Sequence, residues 1–303
     1  MKKTNMLPSL VHLLSLGTKN KYARARRYIA EFRALRRLAG LPRYQPASTL
    51  LLGRRLQLVD AASFLSAYHQ IFKRNIYRFA SEIDSPRIID GGANIGLSVI
   101  YFKQLFPHSR ITAFEPDAQV FSALRANMKT FGYEDIELVP KALWSANTKL
   151  TFMAEGADGG RIARSADLMR TAKVQPKFES VATVCLRDYL TEPVDFLKLD
   201  IEGAETEVLL HCADLLANVK HLFVEYHSFK NEPQSLPRLL QILTDNGFRF
   251  HLHSSNETPM PFLGVDTMLG MDLLLNIFAY REPQRRELIA GTRTDAARNG
   301  GAA

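Results

Sequence analysis

Four stretches of this 303-residue chain carry side chains in patterns that can do chemistry. The first is the turn Asp90-Gly91-Gly92-Ala93-Asn94-Ile95-Gly96, where glycine lets a backbone bend tightly and approach a ligand without a Cβ clash. The others are Phe114-Glu115-Pro116, the block Lys198-Leu199-Asp200-Ile201-Glu202-Gly203-Ala204-Glu205, and Glu225-Tyr226-His227. Asp90, Glu115, Asp200 and Glu225 each close a short apolar run that reads as a strand. In an open parallel sheet, ligands bind beyond the carboxyl ends of the strands. Four strands ending in carboxylates therefore describe one electronegative crevice. Its sign suits a cationic or polyhydroxylated ligand and disfavours a phosphate-rich one. The plainer alternative for any single acid is that it caps the helix that follows.

The elements that must position these residues follow a βαβ grammar from residue 87 onward. Arg87–Asp90, Arg110–Phe114, Ile136–Val139, Asp195–Leu199 and His221–Tyr226 read as strands of a mainly parallel sheet. Leu97–Phe106, Ala118–Phe131, Ala204–Leu216 and Leu236–Asn246 read as helices between them. Phe248–Leu252 and Leu273–Tyr280 close the sheet as an antiparallel pair, and Thr148–Phe152 and Ser180–Val184 read as flanking strands. The polar stretch from 154 to 178, with Gly156, Gly159 and Gly160, is long enough to be a functional loop, and its Arg161 and Arg164 suit a grip on the acceptor. Before the sheet, residues 20–39 and 61–79 have helical periodicity. The expected division is a basic helical extension over 1–80, a catalytic α/β domain over 81–281, and a disordered polar tail over 282–303.

Two nucleotide readings compete for the glycine turn. A dinucleotide fingerprint wants G-x-G-x-x-G/A, and Gly91 to Gly96 offers G-x-A-x-x-G. Asp90 would also repel a pyrophosphate in a partly desolvated site, whereas it fits an ammonium. Glu115, 19 residues after Gly96, is placed to accept hydrogen bonds from ribose hydroxyls in either case.

Taken together and in this order, from about residue 86 to about 254, the four stretches resemble the FkbM family of S-adenosylmethionine-dependent methyltransferases. The D-x-G-x-N-x-G turn occurs in many class I methyltransferases, and the K-x-D-x-E-G-x-E block is the distinctive element. The resemblance implies a Rossmann-like α/β fold with a mostly parallel seven-stranded sheet, helices on both faces, and a last hairpin that inserts an antiparallel strand. It implies S-adenosylmethionine as methyl donor, and a hydroxyl of a small metabolite, glycan or lipid-linked saccharide as acceptor. Carried over, Gly92, Ala93 and Gly96 approach the methionine portion, Asp90 and Asn94 organise the turn, and Glu115 with Pro116 serves the ribose. The sequence departs from the pattern after its third strand. Val139-Pro140-Lys141-Ala142-Leu143 holds no acid or amide to read adenine, which leaves the backbone near Ala142 and Lys141.

Methyl transfer from a sulfonium is an in-line displacement, so alignment matters most. An alcohol acceptor also needs a group to take its proton. The candidates are Asp200, Glu202, Glu225 and His227, and His227 is the natural base because its unperturbed pKa is about 6.5. In a second arrangement Asp200, Glu202 and Glu225 hold a divalent metal that polarises the hydroxyl. Lys198 lies in the apolar run Phe196–Leu199 and needs a carboxylate partner, which places it to orient Asp200 or Glu202. Glu205, three residues past Glu202, either faces the same side or is a first-turn acid favoured by the helix dipole. Tyr226 and Phe229 are candidates to stack on a sugar ring.

Composition sets the outer bounds. With 46% hydrophobic and 23% charged residues, the chain is neither collagen-like, disordered nor a disulfide scaffold. Two cysteines, Cys185 and Cys212, are too few for a zinc cage and suggest a reducing compartment. The net charge of +8 is unevenly placed: residues 1–60 hold 13 Lys/Arg against 2 Asp/Glu, and the remaining residues hold 26 against 29. No run approaches the roughly 18 apolar residues of a membrane-spanning helix. The apolar start, Met6 to Leu16, is broken by Pro8, Ser9 and His12 and lacks a small-residue cleavage site. The expectation is a cytoplasmic enzyme that binds no nucleic acid. Its basic helix either packs on the domain with solvated arginines or touches a membrane peripherally. A nicotinamide oxidoreductase, or a membrane- or RNA-associated module with a retained cofactor pocket, are the rival readings.

Overall fold

The computed structural model describes residues 18–154, 160–163, 177–230, 232–255, 260–264 and 270–281. The chain enters through helix α1 (Thr18–Ala39) and a hairpin of β1 (Ala47–Leu51) and β2 (Arg54–Leu58). Helix α2 (Ala61–Tyr68) follows, its first turn capped by Asp60, which accepts the Ser63 N–H at 2.8 Å. The stretch that reads as one helix over 61–79 is broken: a π-helical turn covers His69–Lys73, and Asn75 then takes a left-handed φ of 55°. The basic extension is thus helical only in part, because a hairpin lies between its helices.

The central sheet follows the expected topology. Its strands are β3 (Arg87–Gly91), β4 (Arg110–Phe114), β5 (Glu137–Val139), β10 (Val194–Leu199), β11 (Val219–Phe229), β12 (Arg249–Ser254) and β13 (Met271–Tyr280), in the order β12-β13-β11-β10-β3-β4-β5. All neighbours pair in parallel except β13, which is antiparallel to both β11 and β12. Helices α3 (Leu97–Leu105), α4 (Ala118–Phe131), α5 (Glu205–His211) and α6 (Leu236–Asp245) connect the strands. The helix expected over Ala204–Leu216 stops at His211 and gives way to a 3-10 turn over Ala213–Asn218.

Alternation along the buried strands divides the core in two. Ile88, Phe196 and Phe223 face one side, where they pack with Phe102 and with Leu38, Leu56, Phe64 and Tyr77 of the entry segment. Ile89, Leu197 and Val224 face the other, against Val208 and Leu239. Residues of the segment from 34 to 79 therefore complete one of the two hydrophobic layers that a sheet buried on both faces requires. The two runs read as flankers leave the main sheet. They become β7 (Lys149–Ala154) and β9 (Lys177–Cys185), which pair antiparallel with each other in a second sheet, where β6 (Ala142–Trp144) joins β9 in parallel and β8 (Arg161–Ile162) joins β7 antiparallel. Cys185 and Cys212 are both buried and unpaired. Residues 282–303, read as a disordered tail, lie outside the described residues.

Candidate active site

A cleft opens at the carboxyl ends of β3, β4, β10 and β11. Its acidic side chains are Asp60, Glu115, Asp117, Asp200, Glu202 and Glu225, against Lys141 and Lys198. The electronegative crevice read from the strand ends is thus present, and Asp60 and Asp117 extend it.

The turn after β3 is held by its own scaffold. Gly92 has φ +78°, and a Cβ there would lie 1.8 Å from the Asp200 carbonyl oxygen. At Gly96, with φ +91°, a Cβ would lie 2.5 Å from Met128 Cε of α4. Both glycines are therefore demanded first by packing of the protein against itself. Asn94 is left-handed at φ 48°, and its Oδ1 accepts the Ile95 N–H at 2.7 Å. Asp90 is fully buried behind the turn, where it accepts the Ser98 hydroxyl and lies 3.2 Å from Lys198 Nζ. Asp90 and Gly96 support the cleft from behind, whereas Gly92, Ala93, Asn94, Glu115, Pro116 and Ala142 line it. Glu115 accepts the Asn94 N–H at 3.0 Å and the Asp117 N–H at 2.9 Å. Burial nonetheless raises its pKa to about 7, since the backbone N–H bonds only partly offset the loss of solvent.

The turn after β10 gathers the reactive side chains. Lys198 is buried, donates to the Gly92 carbonyl at 2.8 Å, and lies 3.2 Å from Asp90 and 3.4 Å from Asp200. Burial opposes its charge, but these carboxylates more than offset that and hold its pKa above the usual lysine value. The ion pair expected for a lysine in an apolar strand is thus present. Glu202 sits at φ 56°, and Glu205 Oε1 ties the turn together by accepting the N–H groups of Ile201 (3.2 Å) and Gly203 (3.0 Å). Glu225 is half-buried beside Asp200. Burial first, then the Asp200 charge, push its pKa well above the usual carboxylate range.

His227 is placed differently from the expectation that made it the natural base. Pairing with β13 extends β11 to Phe229, so His227 is a strand residue, buried and off the cleft wall. Its Nδ1 meets Glu205 Oε1 at 2.9 Å, and its Nε2 lies 3.4 Å from Glu202. Burial disfavours its charge, yet Glu202 and Glu205 outweigh burial and lift its pKa well above 6.5. Of the candidate metal ligands, Asp200 and Glu202 converge with His227 rather than with Glu225, each offering an atom within 4.8 Å of the others.

Other candidates find structural roles. Tyr226 is buried, and its hydroxyl accepts the N–H groups of Ser235 and Leu236 at the start of α6, both at 3.0 Å. Phe229 lies under the Arg161 guanidinium, 3.7 Å from the ring centre, and neither aromatic lines the cleft. Gly160 does line it, while Gly156, Gly159 and Arg164 fall outside the described residues. The main wall that the sequence reading missed comes from residues 59–77, including Ser63, Ser66, Gln70 and Tyr77. The polar positions 63, 66 and 70, spaced three and four apart across an otherwise apolar segment, were its signal. Phe152 and Ile162 of the second sheet close the opposite side.

Residues 90–250 match the family described as the methyltransferase FkbM domain. The methyltransferase sdnD of Sordaria araneosa is 31% identical over 216 residues, covering 60% of this chain and 80% of that protein. The 2-O-methyltransferase NoeI of Sinorhizobium fredii is 28% identical over 162 residues, which span 48% of this chain and 65% of the relative. The 31-O-demethyl-FK506 methyltransferase FkbM of Streptomyces tacrolimicus is 26% identical over 227 residues, 65% of this chain and 86% of that one.

Proposed function

The chain belongs to the FkbM family of S-adenosylmethionine-dependent methyltransferases, and we propose that it methylates a hydroxyl oxygen of a small, uncharged, polyhydroxylated acceptor. The observation that carries this reading is the cleft wall, where six carboxyl side chains meet two lysines. Such a wall repels phosphorylated and carboxylated acceptors and accepts hydrogen bonds from hydroxyls. Two of these relatives are named for methylation at an oxygen of their own substrates.

The donor set fits S-adenosylmethionine. Glu115 stands at the end of β4 to accept from ribose hydroxyls, the acidic wall suits a ligand bearing ammonium and sulfonium charges, and Ala93 and Ala142 leave room beside the turn. Lys141 and Leu143 flank the place left for the base. When bound, the cofactor supplies an electrophilic methyl group. On the acceptor side, Asp200 and Glu202 face the cleft and take the hydroxyl proton as the new bond forms. His227 and Glu205 act through Glu202: Glu205 holds the turn by accepting the Ile201 and Gly203 N–H groups, and His227, between the two acids, orients the Glu202 carboxylate from behind. Lys198 does the same for Asp200.

The test is incubation of the full chain with isotopically labelled S-adenosylmethionine and cell extract, followed by mass spectrometry of the labelled product. An O-methylated neutral product is expected. An N-methylated product, a phosphorylated or carboxylated acceptor, or binding of NAD in place of S-adenosylmethionine would overturn the reading.

The convergence of Asp200, Glu202 and His227 favours a second reading of the same rim. One nitrogen and two carboxylates form a donor set for a hard divalent cation such as Mg²⁺ or Mn²⁺, whose chemistry would be to polarise the acceptor hydroxyl. Transfer that stops in EDTA and returns with Mg²⁺ would select it. Full transfer in EDTA would leave the carboxylates acting alone.

A further inference from the structure

Helix α1 turns a narrow stripe toward the domain and leaves two chemically different faces in solvent. Leu38 is buried on the domain side, with Ala34 and Leu35 packed beside it. Glu31, the only acid of the helix, lies on the same stripe, where it accepts from the Tyr68 hydroxyl at 3.0 Å and pairs with Lys73. At about 100° per residue, Tyr28, Phe32 and Ile29 fall in one adjoining sector. They are 40%, 51% and 48% exposed, unusual for side chains of that size. Arg33 and Arg26 occupy the next sector, Arg36 falls between Phe32 and Ile29, and all three are exposed. None of these three arginines makes an ion pair among the described residues.

An arginine-rich helix that packs on its own domain needs one apolar stripe, and α1 already has that in Ala34, Leu35 and Leu38. The second apolar sector, edged by arginines, has the geometry of a helix lying in the plane of a lipid interface. Charge complementarity fixes the sign of the surface. Residues 18–39 hold eight Lys/Arg and one Glu, whereas the chain after residue 60 is net negative, so the molecule is polarised with its basic end at α1. No helix among the described residues is long and apolar enough to cross a membrane, so the contact is peripheral.

We propose that α1 docks the enzyme on an anionic lipid surface. Ile29 and Phe32 enter the boundary between headgroups and acyl chains, while Arg26, Arg33 and Arg36 face headgroup phosphates. The location has a consequence for access to the cleft. α1 is tied to α2 through the Glu31–Tyr68 hydrogen bond, and Ser63 and Ala67 of α2 line the cleft. Docking therefore sets the cleft behind α1 and α2 from the headgroups. The docking itself does not depend on which acceptor is methylated.

The test is co-sedimentation of the full chain with phosphatidylcholine vesicles, with and without phosphatidylglycerol as about a third of the lipid. Binding at least about tenfold tighter to the anionic vesicles, and weakened by salt, is expected. Replacing Ile29 and Phe32 together by Ser, or Arg26 and Arg33 by Glu, lowers vesicle binding by about tenfold or more. The same variants keep the thermal midpoint and the S-adenosylmethionine affinity of the parent, because these side chains lie outside the core and the cleft. Equal binding to both vesicles, no binding to either, or variants that bind like the parent would overturn the proposal. So would a concentration-dependent dimer that Phe32→Ser dissolves, without vesicle binding, since the face would then belong to a second copy. Methyl transfer in free solution that proceeds whether or not vesicles bind keeps the two proposals separable.

Discussion

The turns that follow β3 and β10 lie side by side, and they solve one geometric problem with opposite chemistry. Strands β3 and β10 pair in parallel with Asp90 opposite Lys198, so their ends pass each other at the mouth of the cleft. Each turn needs left-handed backbone, at Gly92, Asn94 and Gly96 in the first and at Glu202 and Gly203 in the second. In the first, polar side chains bond the protein itself: Asp90 holds Ser98 and Lys198, and Asn94 bonds its neighbour's N–H. In the second, Asp200 and Glu202 face the cleft. The cofactor turn works through shape and backbone, and the reaction turn through charge. The contrast predicts that damage to the first shows in folding and cofactor affinity, and damage to the second in rate.

The strongest attack on the comparison is at Gly92. Its Cβ would meet the Asp200 carbonyl at 1.8 Å while the backbone stays at φ +78°. Overpacking of about 1–3 kcal/mol adds to about 1–2 kcal/mol for a left-handed non-glycine. Gly92→Ala should therefore drop the thermal midpoint sharply and separate the two strand ends, which thermal denaturation and cofactor titration would show. A variant that folds like the parent and loses only turnover would mean that the turn is shaped for the ligand and not for its neighbour.

Lys198 is where the turns join, and its removal is comparable in size. Lys198→Met leaves Asp90 buried without its cation, and breaking one side of a buried pair costs about 3–5 kcal/mol. Denaturant unfolding checks it. A change near zero would move Lys198 out of the scaffold and into the reaction alone.

The first turn was legible in the sequence because its spacing is set by local geometry. Runs such as Arg87–Asp90 and Arg110–Phe114 carry the alternation and length of buried strands, and the glycines mark where the chain must bend. What escaped is what distant pairing decides. His227 read as a residue after a strand end, but β13 pairs with β11 as far as Phe229 and draws it into the sheet between two acids. The β1–β2 hairpin turns at Leu52-Gly53, with φ values of 54° and 81°. A tight hairpin normally advertises itself with Asn-Gly or Asp-Gly, so Leu52 concealed it. The wall from residues 59–77 was hidden for a similar reason. Its apolar pattern continues through the π-helical turn and Asn75, so the sequence reads as one helix where the chain bends toward the cleft.

A subtler test separates stability from rate at Glu202. A glutamate at φ 56° occupies a conformation that glycine adopts freely. Glu202→Gly removes that strain while adding chain entropy to the unfolded state, so stability should stay within about 1 kcal/mol of the parent. Methyl transfer should fall about 100-fold or more as the proton acceptor is lost, with S-adenosylmethionine affinity kept. Thermal unfolding beside single-turnover transfer reads both. A large loss of stability with transfer intact would make Glu202 a scaffold residue and erase the difference between the two turns.

The smallest effect lies on the cofactor side, where pH acts through Glu115, at the end of β4 beside the first turn. Glu115 has a folded pKa of about 7 against an ordinary 4.5, because burial disfavours its charge. Between those values the folded, unliganded protein holds a proton that the unfolded chain has released. Its stability contribution therefore declines as pH rises from about 4.5 to about 7. Ribose hydroxyls that donate to the carboxylate favour the charged form, so cofactor affinity runs the other way and weakens as pH falls through 7. With a pKa of about 7, the ionised fraction changes about tenfold between pH 8 and pH 6, and affinity should follow it. Calorimetric titration across that range checks the slope, and Glu115→Gln should flatten it while weakening binding at pH 8. A slope that survives Glu115→Gln would place the titrating group in the second turn, making the charge of the reaction side the sensor for the cofactor as well.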